Sequence, residues 1–112
     1  MAAQRLDIRE LHWTAESEDH VEEHIDASWV EELIEGQDYV AFPNKEDHPP
    51  HFRMLIGKTP SGVWITTIIR PIDVEQGIWC PVTGWPATHI EQRKYAKAGG
   101  RSKLPRRAAK RR

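Results

Sequence analysis

Two kinds of side chain in this sequence could do chemistry together: arginines set among apolar residues, and histidines near them. Arg53 lies inside the run HFRMLIG, residues 51–57. A guanidinium on an apolar surface needs an anion, either an internal carboxylate or the phosphate of a ligand. Arg70 closes a second apolar run, VWITTII, residues 63–69. His51 opens the first run, and an imidazole with an ordinary pKa of about 6.5 can give or take a proton near neutrality. His89 and Arg93 are four apart, so a helix over this segment sets them on one side. Glu91 and Tyr95 belong to the same segment. Glu91 has a competing role as a helix-capping carboxylate, which is the preferred reading, and Tyr95 also reads as a core residue.

Other candidates carry weaker signals. His20 and His24 are spaced to share a helix side, but no third ligand stands at a recognisable spacing, so a surface or packing pair is preferred and no metal or cofactor is expected. His48 and His51 flank the prolines of PNKEDHPP and read first as loop residues. Cys80, the single cysteine, has no Cys-His signature around it and reads as a small core residue. Trp79 and Trp85 offer rings on which unpaired bases stack, but in so small a domain such rings are more often core anchors.

The elements that position these residues centre on a hairpin. The two apolar runs flank KTPSG, in which Thr59-Pro60-Ser61-Gly62 suits a type I turn. A four-residue loop pairs 58 with 63. Ile56 then opposes Ile65, Met54 opposes Thr67, and Phe52 opposes Ile69. Arg53 falls on the other face, opposite Ile68. The second strand is apolar on both sides, as a central strand should be.

Before the hairpin, DIRELHW reads as a short strand. Thr14 or Ser17 caps a helix running to about Ile25. Asp26 or Ser28 starts a second helix, with Trp29, Val30, Leu33 and Ile34 on its buried side and Gly36 as its stop. DYVAF reads as a strand. After the hairpin, IWCPVT is a further strand, in which Pro81 argues for an edge or a bulge. Thr88 and Glu91 form a capping box that starts a last helix, and Gly99-Gly100 ends it. The expected fold is α+β: a small antiparallel sheet of three to five strands with two N-terminal helices and a C-terminal helix.

A length of 112 residues supports one domain, expected over residues 1–98, with a basic and mobile tail over 99–112. No stretch approaches the roughly 18 apolar residues of a membrane span, and no secretion signal is recognisable, so a cytoplasmic protein without membrane partners is expected. The formal net charge of −1 hides an asymmetry. Residues 1–92 hold all 17 acidic residues and 6 of the 16 basic ones, a net of −11. Residues 93–112 hold the other ten basic residues and no acidic one. That pattern fits a tail that binds nucleic acid or a partner, and equally one that solubilises or folds back on the acidic body.

Several blocks in this order resemble a known family. A Trp is followed by acidic residues and a helical His (Trp13 to His24). VEELIEG follows, then a strand ending in Gly57 before a tight turn, then a strand running into GWPATHIEQRKY. Over about residues 11–96 the chain resembles the BrnT-like ribonuclease toxins of type II toxin–antitoxin modules. Thr83, Ala87, Thr88, Glu91 and Tyr95 match the family's last block, and His24 matches its helical His. The chain departs from the family where arginines are expected. One arginine falls at Trp85, and another basic residue of the preceding strand falls near Trp79 or Cys80. A third falls at Phe52, beside Arg53, and the Gly after the helical His is Ile25.

The resemblance implies a BrnT/RelE-like fold, metal-independent cleavage of RNA and a cognate antitoxin as partner. Such cleavage needs a base for the 2′-OH, cations for the phosphorane and an acid for the leaving oxygen. On this reading Arg53, His51, His89 and Arg93 are the catalytic candidates, with a phosphate held between Arg53 and Arg93. Trp85, Arg70, Arg101, Arg106 and Arg107 are the RNA-binding candidates. The alternative is a non-catalytic module on the same fold that binds a protein or nucleic acid. Arg53, Arg93 and a histidine in one cleft would favour the enzyme. Dispersed arginines, with Trp85 in the place of a missing one, would favour the binding module.

Overall fold

The computed structural model describes residues 6–43 and 51–102. The elements are β1 (Glu10–Leu11), α1 (Ala15–Glu22), α2 (Ala27–Gly36), β2 (Tyr39–Pro43), β3 (Arg53–Lys58), β4 (Trp64–Asp73), β5 (Ile78–Pro86) and α3 (His89–Lys97). They form an α+β fold around a five-stranded sheet of order β1-β5-β4-β3-β2. The sheet is mixed rather than wholly antiparallel, because β1 pairs parallel to β5 through Glu10–Ile78 and Leu11–Trp79. No helix among the described residues is long and apolar enough to cross a membrane.

Local chemistry sets the helix ends. Thr14 caps α1, with Ser17 completing the capping box, and Asp26 caps α2 by accepting from the Ser28 N–H at 2.9 Å. Gly36 is the last residue of α2 rather than its stop, and the left-handed position falls to Gln37 at φ 60°. Thr88 and Glu91 cap α3 reciprocally, as their spacing predicts.

The hairpin differs from the sequence expectation by one residue. Thr59–Gly62 makes the expected turn, with the Gly62 N–H donating to the Thr59 carbonyl at 2.9 Å. Gly62 has φ +96°, however, so the loop is a type I turn closed by a glycine bulge. The bulge pairs Thr59 with Val63, and the Thr59 N–H donates to the Val63 carbonyl at 2.9 Å. The whole ladder therefore slips: Arg53 opposes Ile69, Met54 opposes Ile68, Leu55 opposes Thr67 and Ile56 opposes Thr66. A one-residue slip of this kind changes which side chains share a face. Gly57 lies under the start of β2, where a Cβ would come within 2.1 Å of the Asp38 carbonyl oxygen, so the position accepts only glycine.

Both faces of the sheet are covered. Leu55, Ile65, Ile69, Ala41 and Trp79 pack against Val21 and Ile25 near α1 and against Val30, Leu33 and Ile34 of α2. On the opposite face Val40, Phe42 and Ile56 pack with Tyr95 of α3, flanked by Met54 and Trp64. β4 lies between β5 and β3 with residues 65–69 buried, as its two-sided apolar pattern predicts. Pro81 sits inside the sheet. A register shift between Ile68 and Ile69 skips Val82, giving the bulge that a strand proline calls for. β5 continues through Gly84-Trp85-Pro86, beyond the strand IWCPVT expected from the sequence.

Candidate functional site

α3 is fixed to the sheet by two groups of contacts, which decide what it shows to solvent. Near its start, the Glu91 carboxylate takes the Thr88 N–H at 2.9 Å, the Thr66 hydroxyl at 2.8 Å and the Trp85 indole N–H at 3.1 Å. Near its end, Tyr95 is fully buried, its ring edge-on to Trp64 with centroids 4.9 Å apart. The Tyr95 hydroxyl donates to Asp38 and accepts from the Ser102 N–H at 2.6 Å, and the Ser102 hydroxyl also donates to Asp38. Burial first, and then the hydrogen bond to Asp38, push the Tyr95 pKa above its ordinary value.

With Glu91 and Tyr95 turned inward, the outer side of α3 consists of Ile90, Arg93, Lys94 and Lys97, at positions that share a helix face. All four are exposed, and Ile90 is 71 % exposed. Lys94 reaches over the Phe42 ring at 5.3 Å. Among the described residues the ion pair within 4 Å is Arg9 with Asp7, so the cations of α3 have no carboxylate partner there. By contrast, α1 and α2 expose Glu16, Glu18, Asp19, Glu22, Glu31 and Glu35 beyond the other face of the sheet.

The expected catalytic set does not converge. The shifted register puts Arg53 with Leu55, Ile65 and Ile69 on the face covered by α1 and α2, whereas α3 carries His89 and Arg93 over the opposite face. A phosphate bridging Arg53 and Arg93 is therefore not available. His89 and Arg93 are exposed on α3, and His51 is exposed just before β3. Arg53 donates to the Phe52 carbonyl at 3.0 Å, while its Nε is buried with no partner. Trp85 is half-buried and tied to Glu91, and Trp79 is a core residue at 3 % exposure. Arg101 donates to the Gln37 carbonyl at 2.8 Å, which closes the C-terminal end of α2. Arg106, Arg107 and His48 lie outside the described residues.

Two open clefts accompany this arrangement. One, of about 440 Å³, lies beside Asp38 and is walled by Lys58, Thr59, Arg101 and Ser102. The other, of about 260 Å³, has both Arg70 and, on α1, His20 among its lining residues. Sequence spacing relates His20 only to His24, its neighbour on the helix. No local signal joins positions 20 and 70, which only the tertiary fold places on one cleft. Among the described residues no group of three or more side chains is disposed to hold a metal ion. No family model, curated protein or solved structure matches the chain.

Proposed function

We propose that the chain is a non-catalytic nucleic-acid-binding module. It grips the phosphates of RNA with the outer face of α3 and the basic segment that follows. The observation that carries this reading is the cationic face Arg93-Lys94-Lys97, which has no carboxylate partner among the described residues and is set apart from Arg53 by the thickness of the sheet. A second observation supports it: the Trp85 indole N–H already occupies the Glu91 carboxylate, at the position where the resembled toxins have an arginine. Residues 93–112 hold ten basic residues and no acidic one, so the sequence from α3 onward is strongly cationic. Arg101 contributes its position at the α2 terminus rather than a free guanidinium. The acidic faces of α1 and α2 disfavour the length of a polyanion lying along them and orient it toward α3.

The test is RNA binding as a function of salt. Replacing Arg93, Lys94 and Lys97 together by Gln is expected to weaken binding to single-stranded RNA about tenfold or more. The slope of log affinity against log salt should fall by about 2, the share of roughly three phosphate contacts. Unchanged affinity and slope would remove α3 from the interface. Cleavage of the RNA by the unmodified protein would return the chain to the ribonuclease-toxin reading, with an antitoxin as its partner.

A further inference from the structure

The cleft between α1 and the far end of β4 stands apart from the α3 surface and gathers a different set of groups. β3 begins at Arg53, paired with Ile69, so β4 runs on from Arg70 without β3 beside it. Phe52 and Pro81 wall the space on the sheet side, Thr14, Ser17 and His20 wall it on the α1 side, and Arg70 lines it as well. Arg70 has no carboxylate within 4 Å among the described residues. The Thr14 hydroxyl accepts from the Ser17 N–H at 3.0 Å, and its own proton has no acceptor among the described residues. His20 is exposed on α1. Glu16 is the one carboxylate in the wall and opposes an anion there.

A second observation points the same way. Arg53 is next in sequence to Phe52 and lies on the α1 side of the sheet. Its Nε is buried without a partner, and no described carboxylate answers its charge. Arg53 does not line the cleft itself, but its charge beside Phe52 adds positive potential next to it.

We propose that this cleft binds a phosphate group, with Arg70 as the principal cation, His20 and Thr14 as further donors, and Arg53 adding positive potential from behind Phe52. The volume of about 260 Å³ admits a phosphate with part of the molecule that carries it. The source is either free phosphate or the terminal phosphate of a nucleic acid.

The experiment is calorimetric titration of the full chain, in a phosphate-free buffer, with inorganic phosphate and with short RNA bearing a 5′-phosphate or a 5′-hydroxyl. The unmodified protein is expected to bind inorganic phosphate, or to bind the 5′-phosphorylated RNA more tightly than its 5′-hydroxyl counterpart. Whichever preference appears should fall about tenfold or more in Arg70→Gln and by a smaller factor in His20→Gln. The α3 triple variant should retain it, which separates this site from the proposed RNA surface. His20→Gln changes an exposed helix position and keeps the test decisive if Arg70→Gln fails to fold. Two results would overturn the proposal: no phosphate response in the unmodified protein, or the same response in the folded variants.

Discussion

Ile65→Asp is expected to leave no cooperatively folded protein. Ile65 is fully buried at the start of the central strand, opposite Gly57 on one side and Pro86 on the other. Its side chain joins Leu55, Ile69, Val30 and Leu33 in the cluster beneath α1 and α2. A carboxylate there has no partner, so it must stay charged in an apolar site or take up a proton against its ordinary pKa. Either course costs several kcal/mol, on top of the lost apolar burial, against a total stability of about 5–15 kcal/mol for a domain of ordinary size. Circular dichroism during heating should show no cooperative transition. A melt unchanged from the parent protein would mean that this face of β4 is not buried.

Glu91→Ala is expected to have the second largest effect, and on stability. One carboxylate serves three donors from three different places: the Thr88 N–H at the helix cap, the Trp85 indole in β5 and the hydroxyl of Thr66 in β4. Thr66 is fully buried, so truncation leaves its hydroxyl without an acceptor and removes the cap as well. The combined cost is about 2–4 kcal/mol. For a chain of this size that lowers the melting midpoint by on the order of 10–20 °C. Glu91→Gln retains an acceptor oxygen and should lose about half as much or less. A melting midpoint that barely moves in Glu91→Ala would show that the carboxylate does not hold α3 to the sheet.

What could be read from the sequence was what is decided locally. Thr14, Asp26 and Thr88 cap helices through bonds that span two or three residues, and their spacing is visible in the chain. The turn at Thr59–Gly62 and the bulge near Pro81 follow from backbone limits of single residues. The hairpin register did not follow, because Gly62 permits two loop closures that differ by one residue, and only the packing of both sheet faces selects between them. That one residue moved Arg53 to the α1 side. The side of the sheet taken by α3 was equally hidden. It depends on Tyr95 reaching Asp38, 57 positions earlier, and on Glu91 meeting Thr66, 25 positions earlier. The parallel pairing of β1 with β5 involves two residues and leaves no pattern to read. The cationic face of α3 was within reach of the sequence, since the helix start and the charges were both visible. The expected site paired Arg93 with Arg53 instead of with Lys94 and Lys97.

The proposed function has the chain holding RNA through α3 and the residues after it and leaving the RNA uncut. The most direct measurement incubates the full chain, in excess and in the presence of EDTA, with end-labelled single-stranded RNA. Each sample is run once on a native gel and once on a denaturing gel. A retarded complex is expected on the native gel and full-length RNA on the denaturing gel. Shortened RNA on the denaturing gel, or no retarded complex at low salt, would contradict the proposed function.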